Sequence, residues 1–240
     1  MISLILPYWD RQACADRALA LMATHYAGLD LEIVVVDDGN AVPYVAPRGM
    51  PFPVNVIRMP VKHEPRNPCV PINLGVQAAA GDVIALSGPD IMHVRPVLPG
   101  MFEELNRGGE NAYVIAAVWA PEHKQGRGRW HVHSSMTNAA QVEGIPLPKG
   151  AHYHFMTMLR RSLWDAAGGL DPDYREGTGY DDPDFVLRLE RAGAKFVIRD
   201  DLVVEHMRGG AHASWTPEQF ERNRKLFISK WGGARVARQA

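Results

Sequence analysis

Hydrophobic positions along the chain alternate between two periods. Residues 2–6 are continuously apolar and end at Pro7, which predicts a buried strand. Ala, Leu and Met then recur at helical spacing over 11–26 and stop near Gly28. A β-branched run over 31–36 closes on Asp37-Asp38-Gly39-Asn40, and 54–58 reads as a third short strand. A helix is predicted over 70–80, closed by Gly81, and a fourth strand over 83–87, ended by Gly88-Pro89-Asp90. Strands alternating with helices imply βαβ units and an α/β fold around a parallel sheet. Such sheets gather polar loops at the carboxyl ends of their strands, where ligands bind. The second half is less regular: a helix over 101–107, strands over 112–119 and 153–159, a helix over 182–192, and short strands over 195–199 and 202–206. A closing helix spans 216–231, with Thr216 as N-cap and Pro217 in the first helical position. Residues 121–150 are rich in Gly, Pro, His and Lys and show no period, as expected of a functional or mobile segment. Neither an internal repeat nor a separating linker is visible, so residues 1–240 read as one domain.

Composition narrows the class without naming a chemistry. With 240 residues, 46% hydrophobic and 22% charged, the chain can bury a sizeable core. Lys plus Arg is 26 against 27 for Asp plus Glu, a balance that argues against a dedicated nucleic-acid binder. Cys14 and Cys69 fit neither a metal-ligand spacing nor a disulfide framework, which points to a reducing, cytoplasmic location. The first residues lack the basic region of a signal peptide, and no stretch reaches the roughly 18 apolar residues of a membrane span. Phe220, Phe227 and Trp231 share one face of the closing helix, with Arg222, Arg224, Lys225 and Lys230 elsewhere. That pattern predicts packing onto the sheet; the alternative is a peripheral, basic amphipathic contact with a membrane surface, for instance the inner face.

The first strand is not followed by G-x-G-x-x-G, and no P-loop is present. Acidic groups mark the strand ends instead: Asp37-Asp38, Asp90, and Asp181-Asp182-x-Asp184 ahead of a helix. Carboxylates meeting at one crevice suit a divalent cation and a general base, although each alone can serve as a turn former. His131 and His133, and likewise His152 and His154, alternate along strand-like segments, which puts each pair on one face. No Cys or acidic neighbour completes a tetrahedral zinc set, so these histidines read as acceptor-side or surface groups.

Five segments in order resemble the family-two glycosyltransferases of GT-A fold. Ile2-Ser3-Leu4-Ile5-Leu6-Pro7-Tyr8 is similar to the family's opening strand and turn, and Ile33 to Asn40 to its V-D-D-G-S. Asn73-Leu74-Gly75 with Ala80-Gly81-Asp82 resembles N-x-G…A-x-G-[DE]. Gly168-Gly169-Leu170-Asp171 resembles G-G-F-D, and Gly179 to Phe185 followed by Arg188-Leu189 resembles G-x-E-D-x-D-[LF]…R-L.

The resemblance implies a GT-A fold, Rossmann-like, with a mixed, mostly parallel sheet flanked by helices. Residues 1–110 would form the nucleotide-sugar half and 111–240 the acceptor and catalytic half. Pro7, Tyr8, Asp38, Asn73 and Asp90 would bind the donor, with Asp38 accepting the imide N–H of uracil or thymine. Asp90, the last residue of the family's D-x-D, and His206 would hold Mn²⁺ or Mg²⁺. Asp182 would be the general base of an inverting, metal-dependent hexosyl transfer from a UDP- or dTDP-sugar to a hydroxyl of a glycan, lipid or protein. Crowded carboxylates require partners for Asp181 and Asp184, and Arg188 is one turn from the latter. Trp130, Arg129 and Asp181 are candidate acceptor contacts, with 121–150 as a lid. Gly88 replaces the first Asp of D-x-D, which keeps open a non-catalytic sugar-nucleotide binder; a nucleotidyltransferase on the same fold is the other alternative.

Overall fold

The computed structural model describes residues 1–61, 67–121, 128–136, 141–148, 154–207 and 216–232. In the first half, β1 (Ile2–Tyr8), β2 (Leu31–Asp37), β3 (Val54–Arg58) and β4 (Val83–Ser87) alternate with α1 (Gln12–Tyr26) and α2 (Cys69–Ala78). β5 (Ile91–Met92), α3 (Leu98–Gly108), β6 (Ala112–Ala120) and β7 (Arg129–Val132) follow. A two-stranded hairpin of β8 (Gln141–Val142) and β9 (Ile145–Pro146) precedes β10 (Met156–Arg160), α4 (Arg161–Ala167), α5 (Asp181–Arg191), β11 (Lys195–His206) and α6 (Pro217–Trp231).

One nine-stranded sheet runs in the order β3-β2-β1-β4-β10-β6-β11-β5, with β7 added beside β6. The first four strands are mutually parallel, β10 is antiparallel to both β4 and β6, and β11 returns parallel to β6. The α/β expectation holds. β1, β2, β4 and β6 are almost wholly buried, which is why their sequences read as continuous apolar runs rather than alternating ones. α2 lies against β1 and β2, and a Cβ on its Gly75 would come within 2.5 Å of Ile5 Cγ2, so only glycine permits this approach.

Several boundaries differ from the sequence reading. β1 does not stop at Pro7; it continues to Tyr8, paired with β2 alone after its ladder with β4 ends at Ile5, an edge-like place that tolerates proline. The two short strands expected after Lys195 are one strand with an irregularity between Arg199 and Val203. Residues 121–150 are not without regular structure: β7 pairs with β6, and Glu143 and Gly144, both at positive φ, turn the β8–β9 hairpin. Strands of two residues are too short to show a period. The seven-residue α4 escaped notice for the same reason.

Candidate active site

The ends of β1 and β2 make the first wall of the crevice. Asp37 is fully buried, and its carboxylate accepts the backbone N–H groups of Asn40 and Tyr44 at 3.0 Å each, which fixes the turn after β2. Asp37 is therefore the turn former, and its neighbour Asp38 lines a pocket with Pro7, Tyr8, Trp9, Asn67, Pro68 and Pro71. That pocket holds about 130 Å³. Proline and aromatic faces with a carboxylate suit a flat heterocycle carrying an N–H donor. Asn73 does not line it. Its side-chain N–H donates to Leu170 O at 2.7 Å and its oxygen accepts Leu170 N–H at 3.0 Å, so the amide staples α2 to the turn before Asp171. These two bonds give Asn73 a packing role in the structure.

A second wall forms where β5 pairs with β11. The register places His206 opposite Ile91, and Met207 N–H donates to Asp90 O at 2.9 Å, so this strand pair sets Asp90 beside His206. His206 Nε2 is 3.2 Å from Asp90 Oδ2, and Arg11 Nη1 donates to the same oxygen. His206 Nδ1 is 3.0 Å from His131 Nδ1, so one of these two nitrogens donates to the other. His131 thus meets His206, a partner 75 positions away, which spacing alone could not show. Gly88 leaves room for this arrangement: a Cβ there would lie 2.8 Å from Asp90 Oδ1.

One carboxylate and one imidazole converging on a point satisfy the protein's share of a Mg²⁺ or Mn²⁺ site completed by substrate phosphates. Among the described residues no group of three His, Cys, Asp or Glu side chains is placed to hold a metal. Asp90 and His206 are the residues here that could ligate a cation, which would compete with Arg11 for Asp90 Oδ2.

The third wall is the amino end of α5. Tyr180 enters it at φ +67, and Asp181, Asp182 and Asp184 fall in its first turn. Asp181 is buried and accepts a hydrogen bond from Asn67 Nδ2 at 3.2 Å. Through Asn67 it is linked to the heterocycle pocket. Asp184 accepts Trp231 Nε1–H at 2.8 Å, Arg188 Nε–H at 2.9 Å and the Tyr174 hydroxyl at 3.2 Å. Arg188 also donates to Asp171 at 2.9 Å, so the pairing expected for Asp184 is present and extended. Asp182 differs from both neighbours, keeping 36% of its side chain exposed. Enclosure of the remainder, followed by the charge of Asp181, pushes its pKa well above the ordinary carboxylate range. Burial raises Asp181 and Asp184 as well.

Of the other expected residues, Trp130 packs edge-on to Trp119 with ring centroids 4.9 Å apart and against His133 at 4.5 Å, while Arg129 is exposed on β7. The hairpin after them is tied down: Tyr180 Oη donates to Glu143 at 2.7 Å and Arg224 pairs with Glu143 at 2.9 Å. Gly126, Arg127 and His152 lie outside the described residues. Phe227 and Trp231 are buried, and Phe220, though 41% exposed, lies 5.0 Å from the Tyr180 ring. Phe227 and Trp231 of α6 thus face inward, as the packing expectation has it. No helix among the described residues is long and apolar enough to cross a membrane. Sequence reasoning missed Arg11 and Asn67.

Residues 3–167 match the family model described as Glycosyl transferase family 2. A search of curated proteins found no match. Among solved structures, S. aureus TarS 1-349 in complex with UDP-GlcNAc superposes with a TM-score of 0.65 at 13% identity, over 95% of this chain and 66% of that one. The mannosyltransferase PcManGT from Pyrobaculum calidifontis, in complex with GDP-Man and Mn²⁺, superposes with a TM-score of 0.55 at 15% identity, over 91% and 58%. The chain spans about two thirds or less of the length of these structures, and likeness at such identity shows the GT-A fold. The family match covers more than half of the 240 residues and includes the strand ends that carry Asp38 and Asp90, and on that ground the chain belongs to glycosyl transferase family 2.

Proposed function

We propose that this chain is an inverting glycosyltransferase that moves a sugar from a UDP- or dTDP-sugar to an acceptor hydroxyl, with Asp182 as general base. The observation that carries the reading is the division of labour at α5: Asp181 and Asp184 are buried on named donors, and Asp182 alone of the three keeps its carboxylate open to the crevice. Its raised pKa brings it closer to neutrality, where a base is most effective. In a single in-line displacement, Asp182 takes the proton of the acceptor hydroxyl while that oxygen bonds to the anomeric carbon. The bond from that carbon to the diphosphate breaks, and the nucleoside diphosphate leaves with its electron pair.

The pocket around Asp38 supports a pyrimidine donor, because an ionised carboxylate accepts the imide N–H of uracil or thymine. Asp90 and His206 would hold Mn²⁺ or Mg²⁺, which when bound offsets charge developing on the leaving diphosphate. Arg11, seated on Asp90, is positioned to share that task. Residues 1–110 supply the donor half and 111–240 the acceptor half, with Trp130 and Arg129 on β7 as acceptor contacts. The same seating of Arg11, together with Gly88, favours a second reading in which the donor is bound and not turned over.

Asp182→Asn separates the two. Nucleoside diphosphate release from a panel of UDP-glucose, UDP-GlcNAc, dTDP-rhamnose and GDP-mannose with Mn²⁺ is measured beside calorimetric donor affinity. The variant is expected to lose at least about a hundredfold in release, the usual worth of a general base, while donor affinity stays within a few-fold. Undiminished release in the variant moves the base elsewhere, and no release from the parent protein with intact binding favours the binder.

A further inference from the structure

We propose that His154, held in one tautomer by Tyr113, is the positioning residue that orients Asp182 and favours its ionised form. The inference rests on Asp182 being the base. Its ground is a chain of three side chains from three elements. Tyr113 stands on β6 and is fully buried. His154 lies in the segment leading into β10 with 5% of its side chain exposed, and Asp182 stands at the start of α5.

The direction of the hydrogen bonds follows from the groups themselves. Tyr113 Oη is bonded to His154 Nδ1. Burial, with Asp182 adding to it, pushes the Tyr113 phenol far above its ordinary pKa, so the hydroxyl keeps its proton and donates it. Nδ1 is then the acceptor, and in the neutral imidazole the proton must sit on Nε2. Nε2 is 3.3 Å from the Asp182 carbonyl oxygen and 3.9 Å from its Oδ1. The N–H therefore holds the peptide oxygen of Asp182 and faces its carboxylate. Phe185 closes one side of the imidazole at 5.2 Å between ring centroids, which limits its rotation.

An N–H dipole close to a carboxylate, here with Nε2 3.9 Å from Oδ1, stabilises the charged form. Among the described residues, the titratable groups around Asp182 are Tyr113 from β6, His154 from the segment before β10, and Asp181 and Asp184 on α5. Asp181 opposes its ionisation, Tyr113 stays neutral, and of these four groups His154 is the one that turns a donor toward Asp182. The position of His154 also joins the two parts of the site, since the next residue, Phe155, stacks on His206 at 4.8 Å.

The test follows the Asp182 carboxyl directly, by ¹³C NMR titration of the aspartate-labelled protein, its signal assigned by loss in Asp182→Asn. His154→Phe keeps the ring volume and removes both nitrogens; His154→Gln restores a donor. The expected result is a midpoint raised by about one pH unit in His154→Phe and largely returned in His154→Gln. Nucleoside diphosphate release should fall at least about tenfold in His154→Phe, with its acidic limb moved to higher pH and the donor KM within twofold. Should His154→Phe fail to fold, Tyr113→Phe serves instead: it frees Nδ1 to carry the proton, and the same upward shift is expected. An unmoved midpoint in the variant that folds, or a change confined to donor KM, overturns the proposal. Asp182→Asn keeps the two readings apart: if it abolishes release while the histidine variant leaves the midpoint unmoved, only the role of His154 falls; if it leaves release intact, the base assignment falls.

Discussion

At the residue scale, the chemistry-bearing groups divide by whether their partners are near or far in sequence. Asp38, Asp90, Asp182 and His206 stand at strand or helix ends, and a reader of patterns can find them because parallel sheets collect function there. Arg11 meets Asp90 across 79 positions, Asn67 meets Asp181 across 114, and His131 meets His206 across 75. No local period encodes such pairs. Two predictions belong at this scale. Asp38→Ala should weaken uridine or thymidine diphosphate binding by about 1.5–3 kcal/mol, the range for a hydrogen bond to a charged group; calorimetry showing guanosine diphosphate bound equally well by the parent protein would contradict the pocket's reading. Asp90→Ala and His206→Ala should each lower Mn²⁺-dependent affinity for the diphosphate, and the double variant should lose less than their sum, because one cation would use both groups. Strictly additive losses would mean that the two do not share a site.

At the element scale, α5 and α6 explain why three carboxylates can crowd into one helical turn. Arg188 lies one turn after Asp184 and bridges it to Asp171, Lys230 from α6 donates to Asp171, and Trp231 donates to Asp184. The (i, i+4) pair was legible from spacing, and so was α6 with Thr216 as its N-cap; the capping box with Gln219 is what the structure adds. The Trp231 contact was not, because an aromatic on an apolar face gives no sign of where its N–H goes. Of the family-like segments, Asn73-Leu74-Gly75 packs α2 against its neighbours, whereas the segment with Asp182 leaves a carboxylate partly exposed. The sequence shows that both are special and not which is which. Arg188→Ala would leave Asp184, 1% exposed, with two neutral donors and no ion-pair partner among the described residues. We expect a loss of about 3 kcal/mol in urea unfolding at pH 7, toward the lower end of what breaking a buried pair costs. Arg188→Lys should recover part of it, and a loss below about 0.5 kcal/mol in Arg188→Ala would show that Trp231 and Tyr174 suffice.

At the scale of the whole molecule, the candidate site stores a cost that the rest of the fold offsets. A nine-stranded sheet whose central strands are buried can carry unfavourable charge at its rim, and Asp182 is the group to weigh. Its folded pKa lies well above the ordinary value, through enclosure first and Asp181 second. The native state therefore holds a proton that the unfolded chain has released, so stability from this group is full below the unfolded pKa of about 3.9. It is lost as pH rises from there through the folded pKa. Glu143 and Asp201, held low by Arg224 and Arg199, act in the opposite sense, contributing stability above their unfolded values and losing it as pH falls. The net profile mixes both signs, so the difference between the parent and Asp182→Asn is what isolates this carboxyl. That variant should be more stable than the parent at pH 7.5 and nearly equal to it at pH 4. The gain should be modest, because 36% of the side chain is exposed and solvent screens the charge. Urea midpoints at the two pH values decide the matter. An equal difference at both would show that the carboxylate carries no folding cost and that its raised pKa is not linked to stability. A gain confined to pH 7.5, in a variant that has also lost transfer, would mean that the group carrying the chemistry is one the fold is more stable without.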